Sequence, residues 1–302
     1  METQLVNLEI GSTLANWKID AKLGEGAFGV VYKCVRDGKS FALKVEGVNE
    51  PIQMLKMEAH VLMELSKRDA GRHFCAIEDK GQIGGINYIV MTLLGRSLQD
   101  LRLARPDRKF SMGTAISVGI QCLEALEDLH SIGYLHRDIK PGNYTIGRAE
   151  LGELQKVYML DFGMARRFAH PDGTIRKPRE AAGFRGTLKY APLSSHIQRE
   201  LCRKDDIESW LYQQVEITRG TLPWRNLRDK LEVGRCKKNC RSERGLRQLF
   251  GACPRQYIDI LQSVDRSKFF DEPDYGLIYG LLRDAMKTTE SKEFPYDWEP
   301  TV

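Results

Sequence analysis

The most specific stretch of this 302-residue chain is His136-Arg137-Asp138-Ile139-Lys140-Pro141-Gly142-Asn143. Transfer of a phosphoryl group to a hydroxyl needs a carboxylate to orient the nucleophile and accept its proton. It also needs a cation beside the transferring group and an oxygen ligand for a metal ion. Asp138, Lys140 and Asn143 supply these three groups within one short segment, so the stretch predicts a phosphoryl-transfer site with these residues as its catalytic groups.

A second motif, Asp161-Phe162-Gly163, follows the apolar run 157–160. A carboxylate at the end of a buried strand suits a magnesium ion that bridges two phosphates, because Mg²⁺ prefers oxygen ligands. Asn143 and Asp161 are therefore the predicted metal ligands.

A glycine-rich stretch, Gly24-Glu25-Gly26-Ala27-Phe28-Gly29, lies near the start of the chain. Glycine lets the backbone approach a phosphate closely, but a plain hairpin turn explains the stretch equally well. A dinucleotide-binding turn is a rival, and Glu46 lies about 20 residues further on, where that rival requires an acid. The rival also requires a helix next, whereas residues 30–35 are strand-like, which favours a flap over a nucleotide.

Lys44 lies on an apolar strand, and Glu58 lies on a predicted helix over residues 51–65. Alone, a strand lysine is typical of a solvated edge. A triphosphate needs a cation on its oxygens, however, and a carboxylate can hold that cation in place. Ile52, Leu55, Ala59 and Leu62 recur at helical spacing. Glu58 borders the stripe of Leu55, Ala59 and Leu62, so we predict a Lys44–Glu58 pair and a solvated Glu64.

These parts occur in the order that protein kinases show. We predict an α+β, two-lobed eukaryotic protein kinase fold. Strands at 17–24, 30–35, 40–46 and 88–91 build the small lobe, and helices at 114–130, 205–219, 255–264 and 275–288 build the large one. The predicted catalytic domain covers 17–302, with an N-lobe over 17–91, a hinge over 92–97 and a C-lobe over 98–302, after an N-terminal extension over 1–16.

The amino-acid composition excludes several classes of protein. Apolar residues make up 42% and charged residues 29%, which is typical of a globular chain, and the net charge of +5 is too small to indicate nucleic-acid binding. The longest apolar run, about 88–94, is far shorter than the roughly 18 residues of a membrane span. Seven cysteines without a secretory signal favour reduced thiols in the cytoplasm, with the nucleus as the alternative. We expect a monomer.

The sequence resembles the casein kinase I superfamily from Trp17 to about Trp298, and within it the tau-tubulin kinase branch. The stretches that carry the resemblance are Leu55-Lys56-Met57-Glu58, His136 to Asn143, Tyr158 to Gly163, Ala182-Gly183-Phe184-Arg185-Gly186-Thr187, Leu222-Pro223-Trp224-Arg225 and Asp297-Trp298-Glu299. The resemblance implies serine/threonine specificity, ATP as the donor and Mg²⁺ or Mn²⁺ as the metal.

The same resemblance assigns further roles. Met91 would be the gatekeeper behind the adenine, with the backbone of Thr92 and Leu94 as the hinge. Asp206 would brace the catalytic loop, Thr187 would contact that loop, and Leu62, His136 and Phe162 would stack between the lobes. The complete predicted nucleotide site is Leu23, Gly24, Gly26, Gly29, Val31, Ala42, Lys44, Glu58, Met91, Thr92, Leu94 and Asp161.

The activation segment, defined here as residues 161–192, suggests how substrates are chosen. It carries seven Lys or Arg and three acids, which gives a net charge of +4. Within it, Arg185 and Lys189 form the candidate anion site. We expect acidic or phosphorylated protein substrates, although a solvated charged surface is the simpler interpretation. Thr174 is the one hydroxyl residue between Gly163 and Gly186, so we expect activity without phosphorylation of this segment.

Two parts of the sequence, at Leu193 and around Cys236, do not follow from the kinase motifs. Leu193 stands where most kinases carry the glutamate of an Ala-Pro-Glu motif, which predicts a lost salt bridge. Cys236 and Cys240 form an incomplete metal site. Around them lies a second basic patch of Lys237, Lys238, Arg241 and Arg244, which by family analogy alone would suit an acidic partner such as tubulin.

The alternatives to a protein kinase are a pseudokinase that binds nucleotide as a scaffold and a small-molecule phosphotransferase.

Overall fold

The computed structural model describes residues 5–26, 29–68 and 71–300. Ala27 and Phe28 of the glycine loop lie outside these ranges, as do residues 1–4 of the predicted extension and 301–302 of the predicted domain. The described chain forms a β-rich lobe followed by a larger helical lobe. This is the predicted two-lobed fold.

The first lobe is an antiparallel sheet in the order β1-β2-β3-β4-β6-β5. Its strands are β1 (Thr13–Leu14), β2 (Trp17–Gly26), β3 (Gly29–Arg36), β4 (Lys39–Gly47), β5 (Ile77–Ile83) and β6 (Ile86–Thr92). Trp17, Tyr32 and Val45 belong to its core. The edge strand β5 was not predicted, because most of its side chains are exposed and it has no alternating apolar pattern.

Helix α1 (Met54–Ser66) begins three residues later than the predicted start at Pro51. The carboxylate of Glu46, on β4, accepts hydrogen bonds from the backbone N–H groups of Met54 at 2.9 Å and Leu55 at 3.3 Å. These bonds satisfy the first free donors of the helix and so fix where it starts. Ile52 precedes the helix and is 57% exposed, so the predicted helical spacing does not extend to this residue.

The second lobe contains helices α2 (Leu98–Leu103), α3 (Met112–Ser131), α4 (Leu193–His196), α5 (Arg203–Arg219), α6 (Lys230–Asn239), α7 (Glu243–Phe250), α8 (Gln256–Arg266) and α9 (Tyr275–Thr288). Its short strands are β7 (Tyr134–Leu135), β8 (Tyr144–Ile146), β9 (Val157–Met159) and β10 (Arg166–Arg167). Strand β7 pairs with β10 and β8 pairs with β9. The four predicted helices correspond to α3, α5, α8 and α9.

One hydrophobic core runs from α1 to α9 and joins the two lobes. The strands β7, β8 and β9 lie at its centre, and each of their side chains is buried. The loops that connect these strands carry the predicted catalytic residues, so those residues rest on a rigid base. Among the described helices, none is long and apolar enough to span a bilayer.

Candidate active site

A cavity of about 580 Å³ lies between the lobes. Every predicted catalytic and nucleotide-site residue lines it: Leu23, Gly24, Gly26, Gly29, Val31, Ala42, Lys44, Glu58, Met91, Thr92, Leu94, Asp138, Lys140, Asn143 and Asp161. Arg185 and Lys189 are outside this lining. The structure thus brings together residues that are spread over more than a hundred positions of the sequence.

The glycine loop forms the roof of the cavity. Strands β2 and β3 run antiparallel and Gly26 pairs with Gly29, so a strand follows the glycines and not a helix. The dinucleotide-binding alternative is therefore wrong, and Glu46 caps α1 instead of serving that site. Gly29 also has a structural reason to be glycine, because a Cβ there would lie 2.5 Å from the carbonyl oxygen of Val45.

Lys44 connects the two lobes through carboxylates. Its Nζ lies 2.5 Å from Oε2 of Glu58 on α1 and 3.3 Å from Oδ1 of Asp161. Burial opposes the charge of Lys44, but the neighbouring Glu58 and Asp161 outweigh it and raise the lysine pKa. Burial likewise opposes the charge of Asp161, yet Lys44, His136 and Lys140 lower the pKa of this carboxyl. The site therefore holds an ammonium and an ionised Asp161 side by side.

The hinge leaves few backbone groups for an adenine. Met91 is buried in β6 and pairs in register with Ala42 of β4. The N–H of Thr92 donates to the carbonyl of Ala76 at 3.1 Å. Thr92 can therefore offer an adenine only its carbonyl oxygen, and any N–H donor from this hinge must come from a later residue such as Leu94.

Asp138 lies 4% exposed at the floor of the cavity. Its Oδ1 accepts hydrogen bonds from the backbone N–H and the hydroxyl of Thr187, both at 2.7 Å. Its Oδ2 accepts a hydrogen bond from Lys140 Nζ at 2.6 Å. The side-chain amide of Asn143 donates to the backbone carbonyl of Asp138 at 2.8 Å. The carboxylate is thus held in one orientation by groups from two segments.

Asp206 of α5 braces the catalytic loop from below, as the resemblance implied. Its carboxylate accepts the backbone N–H groups of His136 at 2.8 Å and Arg137 at 2.9 Å. His130 lies 3.0 Å from the same carboxylate. Arg137 has a φ of 68°, a left-handed conformation that costs free energy and persists only where its surroundings fix it. Asp206 provides that fixation.

Phe162 packs below Asp161 between the lobes. It is fully buried, and its ring centroid lies 5.5 Å from that of His136 and 5.9 Å from that of Phe74. Leu62 is buried in the same core. The His136–Phe162 contact of the predicted stack is therefore present, and Phe74 is an additional member that the sequence reasoning missed.

Thr145, which also lines the cavity, was missed as well. Its hydroxyl is buried and has no hydrogen-bond partner among the described residues. Thr145 is on β8, whereas Asn143 ends the 3-10 turn before this strand, so the alternation of strand residues does not relate the two positions. The sequence therefore held no signal for Thr145.

Lys189 is not a free cation. Its Nζ forms an ion pair with Glu216 of α5, and the same carboxylate accepts a hydrogen bond from the hydroxyl of Tyr190. Glu216 is buried, and its Oε1 also lies 3.8 Å from Nη2 of Arg102, so Lys189 shares this carboxylate with a second cation. Arg185 is exposed, and its guanidinium donates only to the neighbouring carbonyl of Phe184 among the described residues. The two members of the candidate anion site therefore have different surroundings.

Leu193 was predicted to lack the salt bridge that attaches this segment to the helical lobe, and another residue provides the attachment. The backbone N–H of Leu193 donates to Glu208 of α5 at 3.1 Å, and Glu208 pairs with Arg241 at 3.0 Å. Arg241 also pairs with Asp265 at 3.2 Å. The start of α4 is thus attached to the helical lobe through a buried carboxylate on α5.

The prediction of a second basic patch on the surface is wrong. Lys237 is fully buried, and Arg241 is paired as described above, which leaves Lys238 and Arg244 exposed. Cys236 and Cys240 are free thiols. No group of three or more His, Cys, Asp or Glu placed to hold a metal ion occurs in the described ranges.

Comparison with known proteins agrees with this geometry. The family model of the protein kinase domain matches residues 17–248. A protein of Dictyostelium discoideum named a probable serine/threonine-protein kinase is 35% identical over 98% of the chain, and the serine/threonine-protein kinase spe-6 of Caenorhabditis elegans is 36% identical over 97%. Casein kinase I homolog 2 of Saccharomyces cerevisiae is 33% identical over 94%.

The chain belongs to the protein kinase family, and its relatives are serine/threonine kinases. It spans 59% of the Dictyostelium protein, 78% of spe-6 and 52% of the yeast protein. The kinase domain implies ATP and Mg²⁺ as donor and metal, and polypeptides as acceptors.

Proposed function

We propose that this protein transfers the γ-phosphoryl group of ATP to serine or threonine side chains of proteins. The observation that carries the proposal is the position of Asp138. Its carboxylate is oriented by Thr187 and Lys140 at the floor of a cavity whose opposite side holds the Lys44–Glu58 pair. Each group that phosphoryl transfer to a hydroxyl requires is therefore within one site.

Lys44, Asp138 and Lys140 have separate roles in the proposed reaction. Lys44, fixed by Glu58, binds phosphate oxygens of the nucleotide. Asp138 orients the acceptor hydroxyl and takes its proton while the oxygen–phosphorus bond forms and the bond to the departing ADP breaks. Lys140 lies between Asp138 and Thr187 and places a positive charge beside the transferring group. Charge stabilisation by such prearranged groups is the main source of catalysis in this chemistry.

The side chains also fit a divalent metal ion. Asp161 offers a carboxylate that is 44% exposed, and the Asn143 amide nitrogen is bonded to Asp138, which leaves its oxygen for a metal. Oxygen donors suit Mg²⁺, and they also suit Mn²⁺. When bound, the metal supplies charge neutralisation between the phosphates.

We further propose acidic or phosphorylated substrates. Arg137 is the best placed cation, because its guanidinium bonds to the carbonyl of Met164 rather than to a carboxylate. Burial, then the like charge of Arg166 and also that of Arg185, lower its pKa to about 10. A cation under such repulsion gains from an added anion. Arg185 is exposed beside it, whereas Lys189 is engaged in an ion pair with Glu216, a carboxylate that it shares with Arg102.

Independence from activation-segment phosphorylation is part of the same proposal. The Thr174 hydroxyl donates to Asp172 at 2.7 Å at an exposed turn that closes on itself between His170 and Thr174. A phosphate there would face the Asp172 carboxylate, which disfavours it. The resemblance to the tau-tubulin branch of casein kinase I makes tubulin and microtubule-associated proteins sensible first substrates to try.

The test is phosphate transfer from Mg-ATP by dephosphorylated protein made in bacteria, with Asp138→Asn alongside. We expect label on serine or threonine, faster on acidic or pre-phosphorylated peptides than on neutral ones, and a loss of at least about a thousandfold in the variant. No transfer by either protein despite ATP binding would favour the scaffold alternative. Equal rates on acidic and neutral peptides would contradict the substrate proposal alone.

A further inference from the structure

One buried carboxylate is positioned against the activation segment without belonging to it. Glu200 lies in the stretch between α4 and α5, and its side chain is 6% exposed. Its Oε1 lies 3.3 Å from Nε of Arg166 and accepts a hydrogen bond from Nη2 of Arg179 at 3.2 Å. Its Oε2 accepts a second bond from Nε of Arg179. One carboxylate therefore joins β10 to the middle of the segment.

The charge of the region explains why such a carboxylate matters. The activation segment carries a net +4, seven Lys or Arg against three acids, and the Arg137 guanidinium lies close by. Burial opposes the charge of Glu200, but the hydrogen bond from Arg179 and the charge of Arg166 lower the pKa of its carboxyl. Glu200 is thus an anion at neutral pH, at the point where the segment would otherwise repel itself.

Neighbouring contacts extend the effect of this anion toward the reaction centre. Arg166 pairs in register with Leu135 of β7, the strand that leads directly into His136. The Ala182 N–H donates to the carbonyl of Gln198 at 2.9 Å, two residues before Glu200. The Glu200 ion pairs therefore lie next to β7, which leads into the catalytic loop, and next to the part of the segment at Ala182, which precedes the residue that contacts Asp138.

Kinases that are switched on by phosphorylation order this segment through a phosphate that pairs with arginines. We propose that Glu200 is a built-in anion that takes the place of that phosphate and holds the activation segment in its catalytic arrangement. This inference rests on the proposed kinase function. Glu200 is a positioning residue, because it acts on the reaction through Arg166, Arg179 and the backbone they fix.

The test compares Glu200→Gln, which removes the charge and keeps the volume, with Glu180→Gln, an exposed acid of the same segment. We expect Glu200→Gln to lower kcat by about tenfold, the change that corresponds to about 1.4 kcal/mol, with the KM for ATP within about twofold. Trypsin should cut faster after Arg176 or Arg179. Glu180→Gln should match the wild type in both measurements.

A chemical rescue separates a role of the charge from loss of structure. Glu200→Ala leaves a space beside two arginines, and acetate or formate in the buffer should enter it and restore part of kcat. A purely structural defect would not respond to a small anion. Arg179→Gln removes the same ion pair from its more exposed side and should reproduce the defect if Glu200→Gln does not fold.

Two results would overturn the inference. Wild-type kcat together with wild-type trypsin resistance in Glu200→Gln, or in Arg179→Gln where that variant replaces it, would refute it. Absence of any rescue by acetate and formate would also refute it. If the wild-type protein transfers no phosphate at all, the proposed function fails, but the trypsin comparison still decides whether Glu200 orders the segment.

Discussion

Gly186 joins the activation segment to the catalytic loop at a point with no room for a side chain. Its φ is +89°, and a Cβ would lie 2.8 Å from the carbonyl oxygen of Arg137. The next residue, Thr187, donates two hydrogen bonds to Asp138. We expect Gly186→Ala to displace Thr187 and to lower kcat by at least about tenfold, because reacting groups tolerate little misplacement. Steady-state kinetics on a peptide substrate measures this.

Gly173→Ala is the matched control. Gly173 has a similar left-handed φ of +85° at an exposed turn, and no atom of the described residues lies within 4 Å of the position that a Cβ would take. The variant shares the backbone strain of an alanine at positive φ, which costs on the order of 1 kcal/mol, without the clash. We expect its kcat to stay within about twofold of wild type. An equal loss in both variants would contradict the role of the Gly186 contact.

Single residues differ in how well the sequence predicts them. The residues at the reaction centre, such as Asp138 and Lys44, follow from side-chain type and spacing, since the chemistry itself demands a carboxylate or a cation. Lys189 could not be interpreted this way. Its surroundings depend on Glu216, a buried acid on a helix whose face toward Lys189 is visible only in three dimensions. Glu200 escaped prediction for the same reason.

At the scale of elements, helix α6 supports the substrate-facing end of the activation segment through Lys237. The Lys237 Nζ donates to the carbonyls of Leu188 at 2.9 Å and Ala191 at 2.6 Å, and lies 3.3 Å from Nε2 of His196. Burial, then the charge of Lys237, lowers the pKa of His196 to about 4, which keeps its ring neutral and able to accept. Burial also lowers the pKa of Lys237 to about 7, and in its protonated form this side chain has three acceptors for its three donors.

Replacing Lys237 therefore tests whether α6 positions that loop. We expect Lys237→Met to lower kcat/KM for a peptide by about tenfold, because two carbonyls lose their buried partner, with the KM for ATP unchanged. Lys238→Met, on the adjacent exposed residue, is the control and should behave as wild type. A defect in ATP binding of the same size as that in peptide turnover would argue against this role.

Elements were predictable where their pattern is long and buried on one side. The helices α3, α8 and α9 meet that condition, and α5 was predicted from its length although it is buried on all sides, whereas α2 and α4 are too short to show a period. The start of α1 was misplaced because Glu46, a residue of another element, determines it. Strand β5 has an edge position and mostly exposed side chains, so it leaves no signal.

For the whole molecule, the order of motifs predicts the two lobes because each motif requires its partner across the cleft. What replaces a missing contact is not predictable in this way. The sequence shows that Leu193 cannot form the usual ion pair. Only the folded chain shows that Glu208 and Arg241 tie the same segment to the helical lobe.

The whole fold also buries ionisable thiols, which makes its stability fall at alkaline pH. Burial raises the pKa of Cys75 and of Cys253 to about 12, against 9.0 for an unperturbed thiol. Between these values the unfolded chain releases protons that the native chain retains. The free energy of unfolding therefore decreases as pH rises above about 9, by up to about 1.4 kcal/mol per pH unit for each such thiol, and is unaffected by them below that range.

Urea unfolding followed from about pH 8 to about pH 10.5 measures this decline, and Cys253→Ala isolates one thiol. Cys253 is not among the residues that line the active-site cavity, so the variant should keep its kinase activity. Its unfolding free energy should fall less steeply with pH than that of the wild type, because it has one fewer proton to retain. Identical slopes for the two proteins would contradict the assignment of a raised pKa to this partly buried thiol.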